Sequence, residues 1–158
     1  MKGKRDDFDV VKQGRDDGMA VMASDGNLDA WRDQWEQATA GLESNASYFR
    51  LMGCNPDGTR NSDYAVLLDP ENLIDYMLVI FYAGNFDSPV TKFAGNRYPN
   101  NWHGMRNRNG DQGFRYFVWD AEHSLFDIDE DRTGPFPAGE EFETSNPPVD
   151  LSAVHGQR

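Results

Sequence analysis

Asp69-Pro70-Glu71-Asn72-Leu73-Ile74-Asp75-Tyr76-Met77-Leu78-Val79-Ile80-Phe81-Tyr82-Ala83-Gly84-Asn85 is the stretch on which the fold turns. Asp69 can cap a helix, Pro70 suits the first helical position, and Glu71 favours the positive N-terminal end. Leu73, Ile74, Met77, Leu78, Ile80 and Phe81 then cover most of a helical circumference. The pattern predicts a helix from about residue 70 to 82, lying in the middle of a core. Gly84 and Asn85 stop it, with Asn85 read as a cap after the helix.

Downstream lies a polar loop from Asp87 to Asn101, its ends fourteen positions apart, carrying Pro89 and Pro99. Loops of this length without structure are uncommon and often functional. Residues 102–106 read as a strand, 107–110 as a turn, and 113–119 as a second strand. Phe114, Tyr116 and Val118 face one side of that strand, and Arg115, Phe117 and Trp119 the other. Asp120 ends it. A buried helix, a loop opening with an acid and closing with Asn, a hairpin and a further acid is the order of a protein-kinase catalytic core. Phosphoryl transfer needs a carboxylate to take the acceptor's proton, and hard oxygen ligands for Mg²⁺. On this chain Asp87 would be the base, Asn101 a metal ligand and Asp120 the main metal ligand. Each has a plainer reading beside it. Asp87 before Ser88-Pro89 can simply form a turn. Asp120 can cap the next turn, Asn101 or its neighbour Asn100 can bond the loop, and Glu122 can be a surface acid.

Upstream, residues 8–12 read as a short strand, and Asp25-Gly26-Asn27 as a turn that starts a helix. Leu28, Trp31, Trp35 and Ala38 fall at helical spacing, closed by Gly41, and both tryptophans are core residues rather than a stacking platform. Residues 44–52 form a second helix ended by Gly53. The last stretch, 126–158, is acidic, carries prolines and is weakly periodic.

The 158 residues hold 27 acids against 15 bases, a net charge of -12, which disfavours nucleic acid as a partner. The single cysteine, Cys54, allows neither an intrachain disulfide nor a Cys-based zinc site. His103, His123 and His155 have no paired ligand spacing for zinc. No apolar run reaches the roughly 20 residues of a membrane span, and residues 1–9 lack the apolar region of a signal peptide. Asp127-Ile128-Asp129-Glu130-Asp131 begins like a calcium loop but lacks the glycine and the bidentate glutamate of one.

Three motifs in order carry a resemblance: Gly84-Asn85-Phe86-Asp87, then Asn100-Asn101-Trp102, then the strand ending Trp119-Asp120-Ala121-Glu122. With Asp25-Gly26-Asn27 before a Trp helix, and Leu68-Asp69-Pro70-Glu71 before the apolar one, residues 8–125 resemble the CotH (spore-coat protein H) kinase family. The resemblance implies an atypical protein kinase that uses ATP and Mg²⁺ (or Mn²⁺) to phosphorylate Ser or Thr hydroxyls of a protein, outside the cell or at its surface. It implies Asp87 as catalytic, Asn101 and Asp120 as nucleotide- and metal-binding, and Glu122 as a further metal ligand.

The chain departs from the pattern in three places. No Gly-rich loop or Lys-bearing strand precedes the loop, so phosphate contacts are expected from an upstream part of the same protein. The interval from Asp87 to Asn101 exceeds the kinase spacing of about five, so residues 90–98 read as an insertion. Glu122 stands where many relatives have Asp. The expectation is therefore an α+β fold, a helical body with a β-hairpin, resembling the larger lobe of a kinase-like domain. Residues 1–125 form a partial domain, with the catalytic loop at 84–101 and the hairpin at 102–119. Residues 126–158 form a truncated continuation. By itself the chain is expected to be inactive. The alternatives are a non-catalytic assembly module on the same scaffold and a calcium-dependent adhesive module.

Overall fold

In the computed structural model, which describes residues 5–16, 21–85, 88–89 and 100–125, the fold is α+β. A 3-10 turn, Arg5–Asp7, leads into strands β1 (Phe8–Asp16) and β2 (Val21–Asp25). Helices α1 (Asp29–Thr39), α2 (Asn45–Leu51) and α3 (Pro70–Ala83) follow, then strands β3 (Trp102–Asn107) and β4 (Arg115–Val118). The helix bounds follow local chemistry. Asn27 Oδ1 accepts the Asp29 N–H at the start of α1. Ser44 and Ser47 bond reciprocally at the start of α2, a capping box. Asp69 Oδ1 accepts the Asn72 N–H at the start of α3.

The expected hairpin is present, but it is not isolated. The four strands form one antiparallel sheet in the order β2-β1-β3-β4, with Phe8 opposite Asn107 and Lys12 opposite His103. β1 continues past the expected residue 12, and β2, ahead of the expected Asp25-Gly26-Asn27 turn, is a strand that was not expected. The run Val21-Met22-Ala23-Ser24-Asp25 holds one β-branched residue, so it signals a strand weakly by itself. It becomes one by pairing with β1, with register shifts on either side of the paired run.

One face of the sheet carries the core. Val11, Gly104 and Tyr116 line up across three strands. Trp31 of α1 lies on this row, its ring centroid 5.2 Å from Trp102 and 5.6 Å, edge-on, from Phe114. A side chain at Gly104 would press into Val11 and toward the Trp102 and Tyr116 rings, which explains a glycine in the middle of a strand. The buried Tyr116 hydroxyl pairs with Gln34 of α1. β4 is an edge strand, and its open backbone groups are covered rather than left to pair with another chain. Asn72 of α3 accepts the Tyr116 N–H at 2.5 Å and donates to its carbonyl at 3.4 Å. Phe114 donates to Leu67 O and accepts from Asp69 N–H.

α3 corrects the expectation of a helix buried all round. Leu73, Tyr76, Met77 and Ile80 face the core, a stripe at positions i, i+3, i+4 and i+7. The opposite side is open: Ile74 is 59% exposed, Leu78 60% and Tyr82 89%, with Val79 and Phe81 also exposed. The helix rests on β4 and the sheet through one face, and no described element covers the other.

A buried carboxylate ties the two ends of the fold together. Asp9 on β1 is 1% exposed. It accepts the Asn27 N–H at 3.0 Å and faces Arg108 at 3.6 Å and Arg106 at 4.0 Å. Arg106 also donates to Val66 O. The start of α1 is thereby fixed to the far end of β3. Gly26, in the left-handed region with φ 69°, lets the chain pass against Asp9, where a methyl group would collide with its carboxylate.

Candidate functional site at the C-terminal end of α3

α3 ends as its sequence predicts. Gly84 takes a left-handed conformation, φ 57°, its N–H bonds Phe81 O, and the Asn85 N–H bonds Ile80 O. This is the paired-carbonyl stop that glycine permits. The helix and the strand beside it run alongside each other: Asn72 meets Tyr116, and Ala83 O accepts the Leu125 N–H at 2.9 Å. Residues 121–125 are thus closed onto the end of α3, the negative pole of its backbone dipole.

Asn101 is joined in both directions to the Trp119-Asp120 segment, with Asp120 nineteen positions away in sequence. Asn101 Nδ2 donates to Asp120 O at 3.1 Å, and the Trp119 N–H donates to Asn101 O at 3.1 Å. These bonds extend the β3–β4 ladder one step beyond the Trp102–Val118 pair. Asn101 is buried and Asp120 is exposed. Both have left-handed backbones, φ 51° and 48°, and Leu125 is the third non-glycine residue with positive φ among those described. Such strain collects at ligand sites and switch segments.

Glu122 completes the group. Its carboxyl hydrogen-bonds that of Asp120 and, with its like charge, holds the Asp120 carboxyl above the ordinary carboxylate range; His123 partly offsets this. His123 Nε2 lies 3.2 Å from Glu122 Oε1. His103 does not join them. Its ring stacks edge-on to Trp119, centroids 4.9 Å apart, and burial, aided by Lys12, lowers its pKa.

Of the residues expected at the site, the structure therefore brings together Asn101, Asp120 and Glu122. Asp87 lies outside the described residues, as do the 90–98 insertion, His155 and the acidic 127–131 run. Among the described residues, no group of three or more His, Cys, Asp or Glu side chains could hold a metal ion. The donors present are two carboxylates and the Asn101 amide. That set suits Mg²⁺, which is bound by one or two carboxylates and otherwise by water and phosphate oxygens, better than zinc or an all-protein calcium cage.

The expected cap at Asn85 is made by the main chain alone. The Asn85 side chain caps nothing: it is 3% exposed, and among the described residues neither Nδ2 nor Oδ1 has a hydrogen-bond partner. Ser88 is also buried. The described ends of the 84–101 loop thus hold three buried polar side chains, Asn85, Ser88 and Asn101.

No helix among the described residues is long and apolar enough to cross a membrane. No protein-family model, curated protein or solved structure matches the chain.

Proposed function

We propose that this chain is the cation-binding portion of a CotH-type protein kinase, which transfers the γ-phosphoryl group of ATP to a Ser or Thr hydroxyl of a protein. One observation carries the reading: Asn101 and Asp120, the two residues the kinase order makes metal ligands, are hydrogen-bonded to each other across the end of the hairpin. The Asn101 Nδ2 bond to Asp120 O holds the two segments that carry these residues against each other. Asp120 and Glu122 add two carboxylates whose mutual repulsion a divalent cation would relieve. When bound, Mg²⁺ neutralises charge on the transferring phosphoryl group. Asn101 and Asp120 would hold it, with Glu122 beside them. Asp87 keeps the role the resemblance implies, accepting the proton of the attacking hydroxyl.

Calorimetric titration of Mg²⁺ with ATP into the full chain, beside the Asp120→Asn variant, tests this. Metal-dependent ATP binding, weakened at least tenfold in the variant, is the expected result. Binding that is equal in EDTA, or absent from both proteins, overturns the reading.

The open apolar side of α3 favours a second reading, a non-catalytic assembly module, because large exposed apolar patches mark interaction surfaces. Sedimentation separates the two: a self-associating chain with no metal-dependent nucleotide binding supports the second.

A further inference from the structure

α3 is apolar on both sides, and the fold uses one of them. Leu73, Tyr76, Met77 and Ile80 pack on the core, while Ile74, Leu78, Val79, Phe81 and Tyr82 are exposed. The outer residues are not scattered. Glu71, Asp75, Leu78 and Tyr82 follow one another at spacings of four, three and four, which places them in one row along the helix. Ile74 and Phe81 flank that row on one side, and Val79 on the other. The row begins with two acids and ends in a continuous apolar surface, the kind that marks an interaction site.

Charge decides what can cover it. Pro70–Ala83 contains no Lys, Arg or His. Glu71 and Asp75 are exposed and make no ion pair among the described residues. A second copy of the chain is a poor occupant. Its α3 brings the same two acids and no base, and two molecules of net charge -12 repel each other. Residues 126–158 hold eight acids against two arginines, so they match the face no better. The same acids disfavour nucleic acid and an anionic membrane surface. A face with apolar side chains and acids is complementary to a segment with apolar side chains and bases.

The spacing suits a helical partner. Asp75 and Tyr82 are seven residues apart, about 10 Å along the axis. A helix packed alongside presents a base and an apolar anchor two turns apart at the same separation, the usual spacing of anchors when an amphipathic helix is recognised.

We propose that the outer face of α3 docks a basic amphipathic helix of another protein, its bases meeting Glu71 and Asp75 and its apolar stripe covering Leu78, Phe81 and Tyr82. Docking here needs neither metal nor nucleotide, so its failure and that of the kinase reading are separate results. The test is fluorescence anisotropy on the full chain in EDTA. The probe is a labelled synthetic helix of about 18 residues, five turns, with leucines along one face and lysines elsewhere. One comparison peptide has Glu for every Lys, and another has its leucines scrambled around the helix. Two protein variants accompany the wild type: Leu78→Ser with Tyr82→Ser, and Glu71→Gln with Asp75→Asn. All four positions are exposed, so both variants should melt close to the wild type. The lysine peptide is expected to bind the wild type one to one, and each variant at least tenfold more weakly. Both comparison peptides should also bind at least tenfold more weakly. Equal binding to the wild type and the Leu78→Ser, Tyr82→Ser variant would show only general attraction between opposite charges and overturns the proposal, as does no binding of the lysine peptide. A wild-type dimer in sedimentation that this variant abolishes assigns the face to a second copy instead. Flotation with phosphatidylcholine vesicles that the same variant abolishes assigns it to lipid, and either result overturns the proposal.

Discussion

Replacing Ile80 and Leu78 by alanine, one at a time, tests the orientation of α3. The two residues have nearly equal volume and sit two positions apart on one helix, yet Ile80 is 2% exposed and Leu78 60%. Truncating a buried Ile or Leu to Ala costs about 2–5 kcal/mol, through lost burial and the cavity left behind. Ile80 belongs to the buried core cluster, and a middle figure of about 3 kcal/mol is taken. For a domain of this size each kcal/mol moves Tm by about 4 °C, so Ile80→Ala should melt roughly 12 °C lower. Leu78 has little burial to lose, and alanine is the better helix former. Leu78→Ala should therefore stay within about 0.5 kcal/mol of the wild type. Differential scanning calorimetry on a chain shown to be monomeric by sedimentation reads both. Equal losses at the two positions would refute the one-sided packing and mean that the outer face of α3 is covered in solution.

Two further outcomes follow from the same structure. Asp9→Asn keeps an oxygen for the Asn27 N–H but removes the charge facing Arg106 and Arg108. Breaking a buried pair costs about 3–5 kcal/mol, but both contacts are long and Arg108 is partly exposed, so the expected loss is about 2 kcal/mol. Urea denaturation measures it, and a loss under about 0.5 kcal/mol would mean that Asp9 is not the tie between β1 and α1. At the Asp120–Glu122 pair, the neighbouring carboxyl raises Asp120 in the folded chain above its unfolded value. The fold thus holds that proton more tightly, and the contribution favours the fold at pH below the unfolded value. It is lost as pH rises through the raised folded value. Melting curves of the wild type against Asp120→Asn should therefore diverge across the mildly acidic window, with the wild type losing ground as pH rises. Parallel curves would show that the two carboxyls do not share a proton.

Much of this was written locally. The Asp69-Pro70-Glu71 start and Gly84 stop delimit α3, the Ser44/Ser47 box starts α2, and the alternation from Phe114 to Trp119 places Phe114 and Tyr116 inward and Phe117 and Trp119 outward, as observed. Caps, turn glycines and the period of two act within a few residues of one another, so their chemistry can be read without the fold. β2 was not legible, because a five-residue run with one β-branched side chain becomes a strand only when β1 lies beside it. The open side of α3 was not legible either. Hydrophobicity says that a side chain gains by burial but not whether a neighbour is there to bury it, and the sheet covers only the stripe of Leu73, Tyr76, Met77 and Ile80.

The candidate site divides along the same line. The sequence by itself determined the residue types and their order: an Asn after the loop, an Asp at the strand end, and a Glu two positions on. Only the tertiary structure decided that Asn101 bonds Asp120 O, and that the Asn85 side chain is buried without a hydrogen-bond partner among the described residues. These are contacts between segments brought together by sheet pairing and by closure of residues 121–125 on α3. Whether a polar group is satisfied depends on what the rest of the chain packs around it.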